Sequence, residues 1–420
     1  VSGDVPDWHN LAHRGRSDLE AAGLRLRTRT RATAIAAPDH SVKMLGADGR
    51  TELLTYDALV IGTGAVSVVP PIAGLTGPGA LGPADGVHTL HTMGDVHAVM
   101  DTLHRRDATT AVVIGAGYIG LEMAEALTAR GCAVTQIEAL PEVLPTLDPE
   151  LGQLVRAELT AHGIEALTAT TVSSITRAPV SDPALVVRAQ GADGSSVTRT
   201  VDIVLVVVGV RPDSGLAESA GARLGVKGAV QVDTRMATNL PDVYAAGDCA
   251  ITHHRLLGET WLPLGTTAHK QGRVAAENAL GGDKRFQGSL GTQVVKVFDL
   301  VAARTGLRDD DVAEAGQSWA ALTVASRADD HKAYYPGATT IDLRVTGDTA
   351  SGLLMGAQLV GRHGAEMPSA WMCSPRHCSP PCRSMRSMTS TCPTRRPSAL
   401  PGIPSRLPPR RGCGPPIAVD

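Results

Sequence analysis

The stretch AVVIGAGYIGLEMAEAL, residues 111–127, constrains this chain more than any other. An apolar run meets Gly115, Gly117 and Gly120 and passes straight into an amphipathic pattern of helical period. At that spacing the first glycine permits a tight strand-to-helix turn. The second lets the backbone approach a pyrophosphate, and the third lets the helix pack on the sheet. The anion rests on the unpaired N–H groups at the positive end of the helix. Glu138 closes the next strand, eighteen residues after Gly120. A carboxylate there accepts hydrogen bonds from the adenine ribose hydroxyls and repels a 2′-phosphate, and IEALPEV offers no Arg or Lys to receive one. The residues predict a dinucleotide site of Gly115, Gly117, Tyr118, Ile119, Gly120 and Glu138, with NADH preferred to NADPH.

More than a hundred residues precede this turn, and they contain a second glycine turn, YDALVIGTGA (56–65). Residues 11–24 read as a helix stopped by Gly23, and 25–60 as short strands around the turn signal GADGR. After the central strand–turn–helix–strand, PELGQLVRAELTAHGIEAL reads as a helix with a glycine stop, followed by strands as far as Gly209. A parallel sheet of the α/β class is the economical product of such alternation. LGTTAHKQGRVAAENALGG (264–282) reads as another helix, entered through a Thr-rich loop. From 286 to 361 strand-like segments surround one short helix near RDDDVAEAG, the texture of a separate α+β module.

Composition narrows the function classes. The 420 residues carry a net charge of −3 and are 43% hydrophobic and 19% charged. That balance supplies no basic field for nucleic acid or an anionic membrane. The longest apolar run, VDIVLVVVGV (201–210), is strand-sized and too short to span a bilayer. VSGDVPDWHN lacks the basic start and apolar core of a signal peptide, so a cytoplasmic location is expected. Cys132 and Cys249 read as isolated buried thiols. Cys373, Cys378, Cys382, Cys392 and Cys413 have irregular spacings with only His377 among them, and no metal site is expected.

Three further motifs flank the central turn in order: VIGTGA, VVVGVRPD (206–213) and TNLPDVYAAGDCA (238–250). Together they resemble the two-dinucleotide flavoproteins, the pyridine nucleotide–disulfide oxidoreductases. GVHTLHTMGDVHAVMDTL, VLPTLDPEL, PLGTTAHKQGRVAAENALGG, KAYYPGATTIDLRV and GLLMGAQLVGRHGAE resemble the branch holding coenzyme A-disulfide reductases and NADH oxidases. The resemblance implies Rossmann-like FAD and NAD domains, the NAD(P) domain 107–229 inserted between FAD segments 1–106 and 230–285. It also implies a dimerisation domain at 286–366 and a homodimer. Gly62, Thr63, Gly64, Gly247 and Asp248 would belong to the FAD side, joined by Gly265, Thr266 and Thr267, with Gly209 near the nicotinamide. Asp248 is open to a second reading, as a turn aspartate capping a helix. Tyr334 and Tyr335 resemble aromatic residues near the disulfide site; the alternative is plain strand packing.

Two departures from the family pattern shape the expected activity. The family begins with its own FAD-binding glycine turn and a single redox cysteine. Val1-Ser2-Gly3 resembles the residues just after that cysteine, so the expectation is of an N-terminally truncated chain lacking both. The tail, 367–420, holds 12 of the 27 prolines and five of the seven cysteines, and Asp420 is its one acidic residue. Such composition reads as disordered. Re-read from the last base of Pro381 in GC-rich codons, Cys382–Arg406 gives a sequence similar to the family's usual C-terminus, which points to a frameshift near 366–367. Two function classes follow. One is an FAD-linked NAD(P)H enzyme reducing a small disulfide such as coenzyme A disulfide, or oxygen or peroxide. The other is an inactive fragment that keeps nucleotide affinity.

Overall fold

The computed structural model describes residues 1–5, 7–179 and 184–365, and the tail lies outside them. Helix α1 spans Arg16–Ala21. It is shorter than the expected 11–24, because Trp8–Leu11 form a separate 3-10 turn under an Asp7 cap. The Asp18 carboxylate accepts the Gly15 N–H at 2.8 Å, which starts α1 at residue 16. No α1 residue is buried, so no core extends the helix. A meander follows: β1 (Thr30–Ala36), β2 (Ser41–Gly46) and β3 (Thr51–Thr55). GADGR makes the β2–β3 turn, with the Gly46 N–H on the Arg50 carbonyl at 2.9 Å. Short strands β4 (Leu59–Ile61) and β5 (Ala65–Ser67) flank the first glycine turn.

Strand β6 (Val87–Thr89) leads to α2 (Met93–Arg106), opened by a reciprocal pair of hydrogen bonds between Thr92 and Asp95. The central unit comes next: β7 (Thr110–Ile114), α3 (Tyr118–Ala129), β8 (Ala133–Ile137), α4 (Pro149–Ala161) and β9 (Glu165–Leu167). An antiparallel sheet of β10 (Thr170–Arg177), β11 (Leu185–Gly191) and β12 (Ser196–Val201) then returns the chain to β13 (Ile203–Val206). Strands β6-β13-β7-β8-β9 form one parallel sheet in that order. Its edge strand β6 precedes residue 107, where the central domain was expected to begin. Every residue of β13 is buried, as a strand covered on both faces requires. The chain leaves β7 through α3 to reach β8 on one side, while β13 lies on the other. Ligands of open α/β sheets bind at such a switch point, beyond the carboxyl ends of the strands.

Beyond β13 come β14 (Val210–Pro212), α5 (Gly215–Ser219), β15 (Val243–Ala245), β16 (Thr252–His254), β17 (Gly258–Thr260) and α6 (Gly265–Ala279). Here β15 pairs with β4 in parallel, and β14 with β5 in antiparallel fashion. Segments from both sides of the parallel sheet thus share a core, in which Ile35, Met44 and Ile61 pack with Met236, Val243 and Val274. The larger sheet is therefore an insertion within this unit. The last module holds β18 (Gln293–Val297), β19 (Leu300–Gly306), α7 (Asp309–Glu314), β20 (Ala321–Asp329), β21 (Thr340–Asp348) and β22 (Leu354–Arg362). Its antiparallel order is β18-β19-β22-β21-β20. Val295, Val297, Leu300 and Val360 join the core that α3 and α4 cover, so the module packs directly on the central unit. No helix among the described residues is long and apolar enough to cross a membrane.

Candidate nucleotide-binding site

Three glycines of the β7–α3 turn meet three different surroundings. Gly115 has φ +101°, and a Cβ there would lie 2.6 Å from the Val207 carbonyl at the end of β13. A Cβ on Gly120 would stand 2.1 Å from the Gly115 carbonyl. Gly117, the residue before α3, has nothing within 4 Å of its Cβ position. Two glycines are thus required for packing, and the third leaves bare backbone at a helix N-terminus. The Glu138 carboxylate is 8% exposed and accepts the Ala116 N–H at 2.7 Å and the Leu140 N–H at 2.9 Å. Gln136, which sequence reasoning missed, donates from Nε2 to the Gly115 carbonyl at 3.1 Å. Its only signal in the sequence was a glutamine set between Thr135 and Ile137 just before Glu138. Gly209, with φ +113°, is exposed just past β13, two residues beyond the Val207 that Gly115 abuts. Ile119 is 38% exposed. The Tyr118 hydroxyl bonds Thr146 at 3.1 Å and also Gln293. Burial raises its pKa, against the Thr146 hydrogen bond and the Arg304 charge.

The second group gathers at the ends of β4 and β15. The Ala246 N–H meets the Ile61 carbonyl at 3.0 Å, so Gly62, Thr63 and Gly64 leave the same sheet end as Gly247 and Asp248. Gly265, Thr266 and Thr267 form the first turn of α6 rather than a loop before it, because Leu264 already accepts the Thr267 and Ala268 N–H groups, each at 2.9 Å. Thr267 is buried and its hydroxyl faces Ser289 at 3.3 Å, whereas Gly265 and Thr266 are exposed. Gln271 of α6 accepts the Gly247 N–H at 3.0 Å, which seats the glycine turn on this helix. Trp261 donates to the Asp248 carbonyl at 2.9 Å. The second group is tied to the segment that follows Gly209: Thr63 donates to the Asp213 carbonyl, and the Asp213 N–H returns to Gly64 at 2.9 Å.

The profile of the pyridine nucleotide-disulphide oxidoreductases matches residues 7–272. The chain belongs to that family. It is 33% identical over 337 residues to an NADH oxidase of Methanocaldococcus jannaschii, covering 80% of this chain and 71% of that protein. It is 32% identical to a coenzyme A disulfide reductase of Staphylococcus haemolyticus, covering 74% and 66%. Among solved structures, a NAD-dependent persulfide reductase from A. fulgidus aligns with TM-score 0.80 and 34% identity, covering 88% of this chain and 66% of that one. The chain thus spans about two thirds of the length of these relatives.

As an oxidoreductase of this family the chain can be tested against both nucleotides. The open Gly117 backbone and the Glu138 carboxylate fit a dinucleotide at β7–α3. FAD fits at one end. Asp248 Oδ1 is buried without a partner, and burial, opposed by the His91 charge, raises the Asp248 carboxyl pKa. A polyol hydroxyl would satisfy that oxygen. Gly62 and Gly64 have nothing within 4 Å of their Cβ positions. Among the described residues, however, β7–α3 is the only glycine turn of this kind between a strand and a helix. Gly77, Gly79 and Gly82 repeat its spacing in a loop followed only by a three-residue 3-10 turn.

The remaining candidates stand apart. Tyr334 and Tyr335 are 78% and 57% exposed in the β20–β21 turn, which rules out plain strand packing. Their ring contacts are local: Tyr335 stacks on His331, and the Lys332 ammonium lies 5.8 Å from the Tyr334 ring. Cys132 and Cys249 are buried thiols. The first donates to the Ala108 carbonyl at 3.3 Å and the second to the Ala246 carbonyl at 3.4 Å. Burial, together with Asp202, pushes the Cys132 thiol pKa up. Glu158, His162 and Asp299 bring ligand atoms within 4.8 Å of one another, but Arg362 already holds both oxygens of Glu158, at 2.7 and 2.9 Å. The late cysteines and the expected frameshift lie outside the described residues.

Proposed function

We propose that this chain is the nucleotide-handling body of an NADH-dependent, FAD-linked reductase of a small disulfide, with coenzyme A disulfide as the substrate class. The observation that carries the reading is the β7–α3 turn, where an open glycine backbone at a sheet switch point lies beside a buried acid. In this reading the amides at the start of α3 take the pyrophosphate, and Glu138 takes the adenine ribose and disfavours a 2′-phosphate. Gly209 leaves room for the nicotinamide. Asp248 takes a ribityl hydroxyl, while Gly62, Thr63, Gly64 and the first turn of α6 line the rest of the flavin side. The chemistry that a bound flavin supplies is acceptance of a hydride equivalent from reduced nicotinamide and its release to the acceptor. The protein works in the cytoplasm as a homodimer, a state supported by exposed Leu322 and Val324 on one face of edge strand β20.

A second reading has oxygen as the acceptor. The burial of both described thiols favours it, since transfer from flavin to oxygen requires no thiol. The test incubates the chain with FAD, removes free flavin, and records the visible spectrum of the protein. NADH oxidation is then followed with coenzyme A disulfide under argon, and separately in air. Turnover only with the disulfide supports the first reading, and turnover only in air supports the second. A chain that takes up neither FAD nor NADH overturns both.

A further inference from the structure

The loop that follows Glu138 is held in place from outside its own domain. It runs from residue 139 to the start of α4. At its near end the Leu140 N–H bonds Glu138, and the Leu144 N–H donates to the Ala116 carbonyl at 2.8 Å. Ala116 lies between the first two glycines of the nucleotide turn, so this loop is the floor on which the turn rests. Leu144 is 1% exposed and has φ +50°. A leucine keeps that left-handed conformation only where its surroundings enforce it.

What enforces it is the last module. The Arg308 guanidinium donates to the Pro145 carbonyl at 3.1 Å and the Leu147 carbonyl at 3.0 Å. Arg304 donates to the carbonyl between them, that of Thr146, at 2.7 Å. The Asp148 N–H then meets Gln358 Oε1 at 2.7 Å, and Arg344 bonds the Asp148 carboxylate. Backbone groups of four consecutive residues are thus satisfied by side chains of β19, of Arg308 just before α7, and of β22. Asp311 locks the device, bonding Arg304 at 2.8 Å and Arg308 at 3.1 Å. Both guanidinium groups are largely buried, with side chains 13% and 15% exposed. Arg308 Nη1 serves both carbonyls while Nε and Nη2 face the Asp311 carboxylate, a division over separate nitrogens that the single nitrogen of a lysine does not reproduce.

We infer that Arg304, Arg308 and Asp311 are positioning residues of the nucleotide site: they fix carbonyls 145–147, thereby hold the Leu144 N–H on Ala116, and so set the phosphate turn. The inference rests on reading β7–α3 as that turn. The chain of contacts itself is independent of any bound nucleotide.

The test is hydrogen exchange on the full chain without ligand, comparing wild type with Arg308→Met and Arg308→Lys. The amides of Leu144 and Leu147 should exchange roughly tenfold faster or more in Arg308→Met, the scale of a lost hydrogen bond to a charged group. Amides of β19 and β22 should keep their protection. The dissociation constant for NADH should rise in step, with Arg308→Lys between the two. If Arg308→Met loses protection across the whole module, the comparison is made with Arg308→Lys, which keeps the charge toward Asp311. Unchanged exchange at Leu144 with the module intact would overturn the inference. A wild-type chain that fails to bind NADH would instead refute the nucleotide reading, and the exchange data would still decide the contact chain.

Discussion

The N–H of Ala116 donates to the Glu138 carboxylate at 2.7 Å, so the acid that follows β8 is physically part of the turn that follows β7. Nucleotide choice and turn geometry therefore share one side chain. Glu138→Ala in the full chain should narrow the preference for NADH over NADPH by about 1–2 kcal/mol, the scale of a lost charged hydrogen bond. Fluorescence titration with both nucleotides measures it. Equal affinities in the unmutated protein would sink the assignment.

Gly117 and Gly120 should separate binding from stability. A Cβ at Gly120 meets the Gly115 carbonyl at 2.1 Å, so Gly120→Ala must push β7 and α3 apart. Overpacking of that kind costs about 1–3 kcal/mol, read as a lower urea midpoint. Gly117→Ala meets no atom within 4 Å, and its φ of −76° suits any residue. It should cost about 1 kcal/mol or less in stability. Its methyl group would stand where the pyrophosphate approaches, so NADH affinity should fall well beyond that. A Gly117→Ala chain that bound NADH normally would remove the phosphate from this turn.

His88 makes the fold acid-sensitive. It is 1% exposed on β6, with Nε2 against the Thr102 hydroxyl at 3.0 Å and Nδ1 without a partner. Burial, reinforced by Arg106 and Arg105, lowers its pKa from 6.5 to about 4. The unfolded chain takes the proton near 6.5 and the folded chain only near 4. Stability is therefore whole above 6.5 and falls as pH drops toward 4, by about 3 kcal/mol in all. His88→Phe should flatten the slope of unfolding free energy between pH 6.5 and 5. An unchanged slope would show that other groups govern this range.

Thiol chemistry supplies a further check. Cys132 and Cys249 are 5% and 0% exposed, so neither is open to a reagent, and burial also raises the Cys132 pKa. Peptide mapping after maleimide treatment should find both unlabelled in the native chain and labelled in urea. Cys132→Ala and Cys249→Ala should leave any reductase activity unchanged. Loss of activity in either would mean that a described thiol carries electrons.

The sequence by itself determined what steric contacts between near neighbours decide. Gly115, Gly120 and Glu138 were legible because the turn after β7 admits few backbone shapes, and the period of the apolar residues marks the helix that follows. The extent of α1 was misread because an amphipathic pattern promises a helix only where a core accepts its face, and α1 buries nothing. The start of α6 at Gly265 was hidden for a related reason, since threonine signals a cap and a first turn alike. Only the tertiary structure decided that Tyr118 binds Gln293, that Gln136 supports Gly115, and that Arg304 and Arg308 hold the loop beneath the phosphate turn. Those partners lie up to 175 residues apart. Contacts between residues so far apart leave no trace in local periodicity, and for Gly115 and residues 145–147 the acceptor is a backbone carbonyl that every residue carries.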